Sequence, residues 1–419
     1  MITTIAIWAF VICALIVFYV WFGYGALALA LCRWKSLRHY FPLPDGFGEV
    51  RINPLVAEQG VLPDRAAERG YMPMVSLIVA AWNEQEWVDP KVANSKTLDY
   101  PKELLEIIFV TDGSTDETVE RLRRHQDIVV YHQHERRGKI AAVNRVVPMA
   151  KGEILIFNDA NSMLNPEAVR LTVRHFAHQK VACVAGEKRV MDTGDSSSGK
   201  GEGLYWRYES ALKKLDSQLW SVVGAAGEMF AIRKSLYRCV EENALIEDFL
   251  ISVRLVADGY RAVYEPNAVA SEAPSANVRE EFRRKVRISA GGFQSVVWLW
   301  PLWRFWRHGL FGVSYWCHRA FRWVLAPPAF FLMLPLGVII ALTHQWFWPI
   351  PLAQAAGIFA AWWCWRRDLA GRMIPKLLRL PYYFVVMNWA ALAGFMRYIR
   401  GQQQITWEKA RRAAPVEPA

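Results

Sequence analysis

The chain has 419 residues, of which 53% are hydrophobic and 20 are tryptophan, with a formal net charge of +11. A soluble surface that aromatic and that basic would aggregate, so the balance points to a membrane protein with aromatic belts and a basic cytoplasmic face. The length exceeds one simple core and leaves room for a domain of ordinary size plus further elements.

The 27 residues from Ile5 to Leu31 carry no charge, enough to cross a bilayer that needs ~20. The run is longer than the apolar core of a secretory signal. No charged segment precedes it and no small-residue cleavage site closes it, so residues 1–32 read as an uncleaved membrane helix. Arg33, Lys35 and Arg38 follow and place the next segment in the cytoplasm. Residues 33–72, with Pro42, Pro44, Gly46, Gly48, Pro54, Gly60 and Pro63, read as a linker on the domain surface.

From residue 73 to about 281 the pattern is that of an α/β domain. "VSLIVAA" (75–81), "LEIIFVT" (105–111), "IVVYH" (128–132), "EILIF" (153–157) and "VACVAG" (181–186) are short β-branched runs separated by segments of helical length. Such near-continuous apolar strands predict a mostly parallel sheet covered on both faces. Ligands of these sheets gather beyond the carboxyl ends of the strands, and here the polar clusters follow the strands directly. Asn83 and Glu84 come after the first. Asp112 ends the second, with Gly113 and Ser114 supplying a tight turn. A carboxylate there can accept a hydrogen bond from the imide N–H of uracil; the plainer reading is a turn that caps the next helix.

The fourth strand delivers Asp159 and Asn161. One carboxylate and one amide oxygen in a turn can face a hard cation such as Mg²⁺ or Mn²⁺, with phosphate and water completing the octahedron. The plainer reading is a turn before a helix that starts at Asn165–Pro166–Glu167, with Asn as cap, which leaves Asp159 unexplained. "GDSSSGKGEG" (194–203) reads as a polar loop. In "LIEDFLISVRLVADGYRAVYEP" (245–266), Glu247 and Asp248 head a helical pattern. Acids favour helix N-termini for dipole reasons alone; the functional alternative makes Asp248 a general base.

Beyond Phe282, basic residues lead into Trp298, Trp300, Trp303, Trp306, Trp316 and Trp323. Residues 282–323 read as amphipathic helices in the headgroup plane. Residues 324–400 hold two spans, Val324–Thr343 and Trp346–Trp365, and the shorter Leu380–Met396, which either crosses or lies in the interface. Residues 401–419 form a basic tail. Basic residues interleaved with aromatics also occur in nucleic-acid grooves, but no reading module is present. The six cysteines form no CxxC pair and read as apolar fillers.

The ordered set "VSLIVAAWNE", "TDGSTDE", "RRGKIAAVNRVVPMAKGEILIFNDANS", "GAAGEMFAIRKSLY", "IEDFLISVRLVADGYRAVYEP" and "EEFRRKVRISAGG" resembles the inverting, membrane-bound glycosyltransferases of family 2. Hyaluronan, chitin, cellulose and poly-N-acetylglucosamine synthases belong to that group. The resemblance covers residues 74 to about 292. It implies a GT-A-type nucleotide-sugar-binding domain with membrane-spanning and interfacial helices, multi-pass in the plasma membrane with its catalytic domain cytoplasmic. It implies a nucleotide-sugar donor, a polysaccharide or lipid-linked acceptor, and Mg²⁺ or Mn²⁺. Position by position, Asn83–Glu84, Asp112, Lys139, Asp159 and Arg287 match donor-binding residues, and Asp159 and Asn161 stand at the metal motif. Glu247–Asp248 match the catalytic pair with Asp248 as base, while Gly227, Glu228 and Arg284 fall in acceptor segments.

Four positions depart from the family pattern. Thr111 replaces an aspartate, Asn161 replaces the second metal carboxylate, and Arg284 and Ile288 replace the Gln and Trp of a Gln-x-x-Arg-Trp motif. Loss of that Trp bears on processive synthesis rather than on transfer. The resulting expectation is metal-assisted single displacement from a UDP-sugar to a growing polysaccharide. The alternatives are a single transfer to a lipid-linked acceptor and a silent partner of another synthase.

Overall fold

The computed structural model describes residues 2–36, 70–191, 197–275 and 278–402. Most of the expected linker and basic tail lie outside the described residues. The chain begins with α1 (Ile2–Phe18), a π-helical turn (Tyr19–Gly23) and α2 (Tyr24–Ser36). The α/β domain then runs β1 (Val75–Ala81), α3 (Val88–Lys96), β2 (Leu105–Asp112), α4 (Thr118–Arg123), β3 (Val129–Gln133), α5 (Lys139–Val146), β4 (Ile154–Asp159), β5 (Ser162–Leu164), α6 (Ala168–Val173), β6 (Val181–Val190), α7 (Ser197–Leu219), β7 (Met229–Arg233), α8 (Glu247–Ala257) and β8 (Arg261–Glu272). The remainder is helical: α9 (Val278–Trp298), α10 (Gly309–Ser314), a π-helix (Tyr315–Ala320), α11 (Phe321–Val324), α12 (Ala326–Thr343), α13 (Pro349–Leu369) and α14 (Lys376–Ile399).

Eight strands form one sheet in the order β3-β2-β1-β4-β7-β6-β8-β5. Four of the five apolar runs form a parallel half, in which β1 pairs β2 and β4, and β2 pairs β3; the fifth is β6 of the other half. Alternate residues face two separate cores, as the two-residue period requires. Ile78, Ile108, Val110, Leu155 and Phe157 join one. Leu77, Val79, Ile107, Phe109 and Ile156 join the other. The other half is mixed, with β7 antiparallel to β4 and β6, and β5 antiparallel to β8.

Two local expectations change. Residues 197–203, read as a loop, are the first turns of α7. Their Gly and Ser content disfavours helix, but a helix docked in a fold is carried by its packed face rather than by propensity. Asn165 does not cap a helix with its side chain. Its amide instead bridges to β8, accepting from Val269 N at 2.8 Å and donating to Asn267 O at 3.1 Å.

Among the described residues, two segments are long and apolar enough to cross a membrane, Ile2–Trp34 and Ala326–Thr343. α12 and α13 form a hairpin, with Gln354 Nε2 donating to Phe330 O at 2.6 Å. α14 runs along α9. Phe395 meets Phe293 at 4.8 Å between ring centroids, and a Cβ on Gly394 would lie 2.7 Å from Ser289 Cβ. α9 is itself fastened to the α/β domain, where Gln294 accepts from Leu245 N at 3.0 Å and donates to Asn243 O at 2.9 Å. The segment Leu380–Met396 therefore lies along a helix of that domain. The domain boundary expected at residue 281 falls inside α9.

Candidate active site

Strand register places the site. Ala81 pairs with Thr111 of β2 on one side, and Ala80 pairs with Asp159 of β4 on the other. Asp112 and Asp159 thus flank the end of β1 across two strand spacings of about 4.8 Å each. The small Ala80 and Ala81 leave the floor between them open. Above this floor lies a cavity of about 940 Å³.

On the Asp112 side, much of the polar machinery holds loops together. Both Asp112 oxygens accept from Arg137 N, at 3.1 and 3.0 Å, and Gly138 N donates to Oδ2 at 2.6 Å. Asn83, in the left-handed region at φ 53°, accepts from Thr115 N at 2.8 Å and donates to Thr115 Oγ1 at 3.2 Å. Its side chain locks the first turn to the second. Glu84 lines the cavity, and its backbone N donates to Thr118 Oγ1 at 2.8 Å. The Arg136 guanidinium lies 3.4 Å over the Trp82 ring and roofs this end.

The centre of the cavity is a charged cluster. Gly138, at φ 99°, turns the chain into α5 and brings in Lys139. Lys139 Nζ stands 2.7 Å from Asp159 Oδ1 and 3.0 Å from Glu247 Oε1. Gly227 closes the ring: a Cβ there would lie 3.3 Å from Lys139 Nζ, 3.4 Å from Asp248 Oδ2 and 3.9 Å from Asp159 Oδ2. Any side chain at 227 would fill the space these groups share. Arg287 of α9 lines the same space.

Burial and neighbours split the two acids at the head of α8. Burial pushes Asp248 up, to about 7, and the adjacent Glu247 charge adds to the shift. Burial also opposes ionisation of Glu247, but Lys139 outweighs it and holds Glu247 below its ordinary value. Burial disfavours the Lys139 ammonium, yet Asp159 and Glu247 more than offset this and keep it protonated. Two neighbouring carboxyls pushed apart in this way are suited to one acid–base group and one fixed charge.

Asp159 and Asn161 fit a hard divalent cation. Among the described residues, no hydrogen bond reaches Asp159 Oδ2 or the Asn161 side chain, and both residues line the cavity. No group of three or more His, Cys, Asp or Glu is arranged for a metal among the described residues. A cation here would draw most of its ligands from phosphate and water.

Glu228 and Arg284, expected at the acceptor, sit in the cavity wall inside a buried ion network. Glu228 pairs with Lys188 at 2.5 Å, and Arg284 pairs with Glu281 at 3.0 Å and Glu272 at 3.5 Å. Three residues escaped the sequence reading. Lys91 of α3 is wholly buried and donates to Ser162 O at 2.6 Å, pinning the Asp159–Ser162 turn from behind. Trp206 and Lys213, seven residues apart on one face of α7, both line the cavity. Nothing in their local sequence distinguishes them, because α7 meets the site only through the tertiary fold.

Residues 76–241 match the Glycosyl transferase family 2 profile. The chain is 26% identical over 231 residues to a poly-β-1,6-N-acetyl-D-glucosamine synthase of Staphylococcus aureus (strain COL), a stretch covering 53% of this chain and 55% of that protein. It is 25% identical over 236 residues to the synthase of the same description from Staphylococcus epidermidis, covering 54% and 57%. The chain spans about half the length of the curated relatives it matches. In structure it is similar to a mannosyltransferase from Pyrobaculum calidifontis solved with GDP-Man and Mn²⁺, with a TM-score of 0.67 and 21% identity over 96% of this chain and 100% of the other. That likeness establishes the GT-A-type α/β fold with its surrounding helices.

Proposed function

We propose that this chain, which carries a family 2 glycosyl transferase domain over residues 76–241, transfers a sugar from a UDP-linked donor to a growing polysaccharide, with inversion. The observation that carries the reading is the cluster of Lys139, Asp159, Glu247 and Asp248 around Gly227, at the carboxyl ends of the sheet. The nucleoside lies towards Asp112, and Lys139 and Arg287 face the diphosphate. Asp248 takes the proton of an acceptor hydroxyl. The hydroxyl oxygen bonds to the anomeric carbon from the face opposite the donor phosphate, the bond from that carbon to the phosphate oxygen breaks, and the nucleoside diphosphate leaves. Lys139 and Arg287 neutralise charge that develops on the leaving group. A divalent cation held by Asp159 and Asn161 would supply further positive charge there. The Staphylococcus relatives favour an N-acetylhexosamine as the sugar, and Mn²⁺ beside GDP-Man in the Pyrobaculum enzyme favours a metal.

The two apolar segments, Ile2–Trp34 and Ala326–Thr343, support insertion in the plasma membrane with α13 alongside. Lys and Arg around the catalytic domain keep it cytoplasmic.

A second reading, transfer to a lipid-linked acceptor, is favoured by Ile288. It lines the cavity where polymerising relatives of the resembled family carry an aromatic residue.

The test is a screen of radiolabelled nucleotide sugars with membranes bearing the full chain, followed by product sizing. A ladder of products supports polymerisation and one lipid-linked product supports the second reading. Absence of any donor turnover would refute both. Activity in EDTA equal to that in Mn²⁺ removes the metal from the scheme.

A further inference from the structure

The charged cluster around Gly227 accounts for the donor side of the cavity and leaves open which residue holds the incoming sugar. Three tryptophans line the cavity, Trp82, Trp206 and Trp323. Two have their rings engaged by cations. The Arg136 guanidinium lies 3.4 Å over Trp82, and the ammoniums of Lys188, Lys285 and Lys213 stand 4.8, 5.4 and 5.5 Å from the Trp206 ring centroid. Trp323 is held differently. Its indole rests on Gly292 of α9, where a Cβ would meet Cδ2 first and then its two bonded neighbours, Cε2 at 2.6 Å and Cε3 at 2.7 Å. Three adjacent ring atoms at such similar distances mean that the ring lies face-on, and only glycine lets it lie so close to the helix. Phe249 meets the same indole edge-on, with 5.4 Å between centroids and 75° between planes. One face is thus backed by α9 and one edge by Phe249, and the part-buried side chain lines the cavity with what remains.

A second observation fixes this ring relative to Asp248. Phe249 is the next residue in the chain, and its own ring packs on Gly224, where φ is 86° and a Cβ would lie 2.6 Å from Cε2. Ala225 N donates to Ser252 Oγ at 2.8 Å, and that hydroxyl lies 2.8 Å from Asp248 O. The start of the 224–227 segment, the Phe249 ring and the Trp323 ring therefore form one packed unit beside Asp248. Ile288, one turn before Gly292 on α9, lines the same cavity and offers no aromatic face. Trp323 itself belongs to α11, immediately before the apolar α12. A pyranose carries C–H groups on its flat faces, and these are attracted to the negative face of an aromatic ring while both surfaces leave water.

We propose that Trp323 is the platform on which the terminal pyranose of the acceptor stacks its C–H face, so that one of its hydroxyls is presented to Asp248. This rests on the glycosyl-transfer reading and assigns the residue that recognises the acceptor sugar. The stack orients the ring without using charge, so it selects a neutral pyranose by shape. Because Gly292 and Phe249 hold the indole in place, the orientation is built before the sugar arrives.

The test uses the full chain in nanodiscs, with a β-1,6-linked N-acetylglucosamine trisaccharide as the probe, after the polymer of the Staphylococcus relatives. Trp323→Leu should weaken trisaccharide binding about tenfold, as loss of one aromatic stack does, and leave UDP affinity unchanged. Trp323→Phe keeps an aromatic face and should recover most of that loss. In the parent, saturation of the aromatic protein protons should transfer to the ring protons of the bound trisaccharide in an NMR difference spectrum. Equal trisaccharide affinity in parent and Trp323→Leu overturns the proposal, as does Trp323→Phe binding no better than Trp323→Leu. Loss of UDP together with the trisaccharide in Trp323→Leu shows that the indole only supports the fold, and overturns it as well. UDP binding by the parent without trisaccharide binding overturns the acceptor platform alone, whereas absence of UDP binding overturns the glycosyl-transfer reading itself.

Discussion

At the scale of single residues, the proposed chemistry rests on Asp248. General-base groups of this kind contribute about 10²- to 10⁴-fold, so Asp248→Asn should lower turnover by that order while UDP binding persists; normal turnover would remove Asp248 from the mechanism. Because burial and the Glu247 charge raise Asp248 to about 7, activity should rise through a limb near neutral pH as the carboxyl ionises. The same shift affects stability with a definite sign. Its pKa in the folded chain exceeds the unfolded value of about 3.9, so the folded state binds the proton more tightly. The stability this contributes is complete below about pH 4 and is lost as pH rises through about 7. Asp248→Asn should therefore stabilise the fold at pH 8 by up to about 4 kcal/mol, read as a higher Tm, and leave Tm unchanged at pH 4. A variant that melts lower at pH 8 would show that the carboxylate is stabilised, not strained, by its surroundings.

At the scale of elements, the parallel strands β1, β2 and β4 were legible because each is a β-branched run buried on both faces, and Asp112 and Asp159 were legible as carboxylates at their ends. In the other half only β6 was legible. β7 and β8 sit in stretches read for their helices or motifs, and their pairing, antiparallel for β7 and parallel to β6 for β8, depends on where distant segments return to the sheet. The site followed the same division. Residues announced by a motif, such as Lys139, Glu247 and Asp248, converge on one cavity, whereas the side chain of Asn83 serves as a loop lock. Lys91 could not have been read, because an ordinary lysine in a polar helix reaches the site only when α3 buries it beneath the Asp159 turn. Burial pushes its ammonium down to about 7, and its bond to Ser162 O fixes the carbonyl that follows Asn161. Lys91→Met keeps the volume but frees that carbonyl. The expected result is weaker Mn²⁺-dependent UDP binding, by about tenfold, with little change in metal-free UDP binding. Equal losses with and without Mn²⁺ would mean that Lys91 supports the fold rather than the metal turn.

At the scale of the whole molecule, what must be explained is how an apolar N-terminal helix, the α/β domain and a C-terminal helical region stay in register. One buried cluster joins all three. Tyr24 of α2 donates to Asp216 of α7, and His318 of the π-helix approaches Asp216 at 2.5 Å and Glu209 at 3.2 Å. Arg319 and Arg322, on the approach to α12, close on Glu209 at 2.5 and 2.7 Å. Burial opposes the Glu209 charge, but Arg319, His318 and Arg322 hold it well below the usual carboxylate range. An apolar contact could slide, but this one fixes both distance and direction, because Asp216 is held from α2 by Tyr24 and from the π-helix by His318, while Glu209 is held by Arg319 and Arg322. Removing one member of a buried charged set leaves the others uncompensated, typically at about 3–5 kcal/mol. Glu209→Gln should thus lower Tm markedly in detergent, by an amount insensitive to salt because the cluster is shielded from solvent. Replacing the orphaned guanidinium as well, in Glu209→Gln/Arg322→Met, should recover part of the loss, which a simple packing defect would not allow. If Glu209→Gln instead melts with the parent, the cluster does not join the segments, and the packing of Tyr24 and Ala28 against Leu212 and Leu219 must hold the first helix to the catalytic domain unaided.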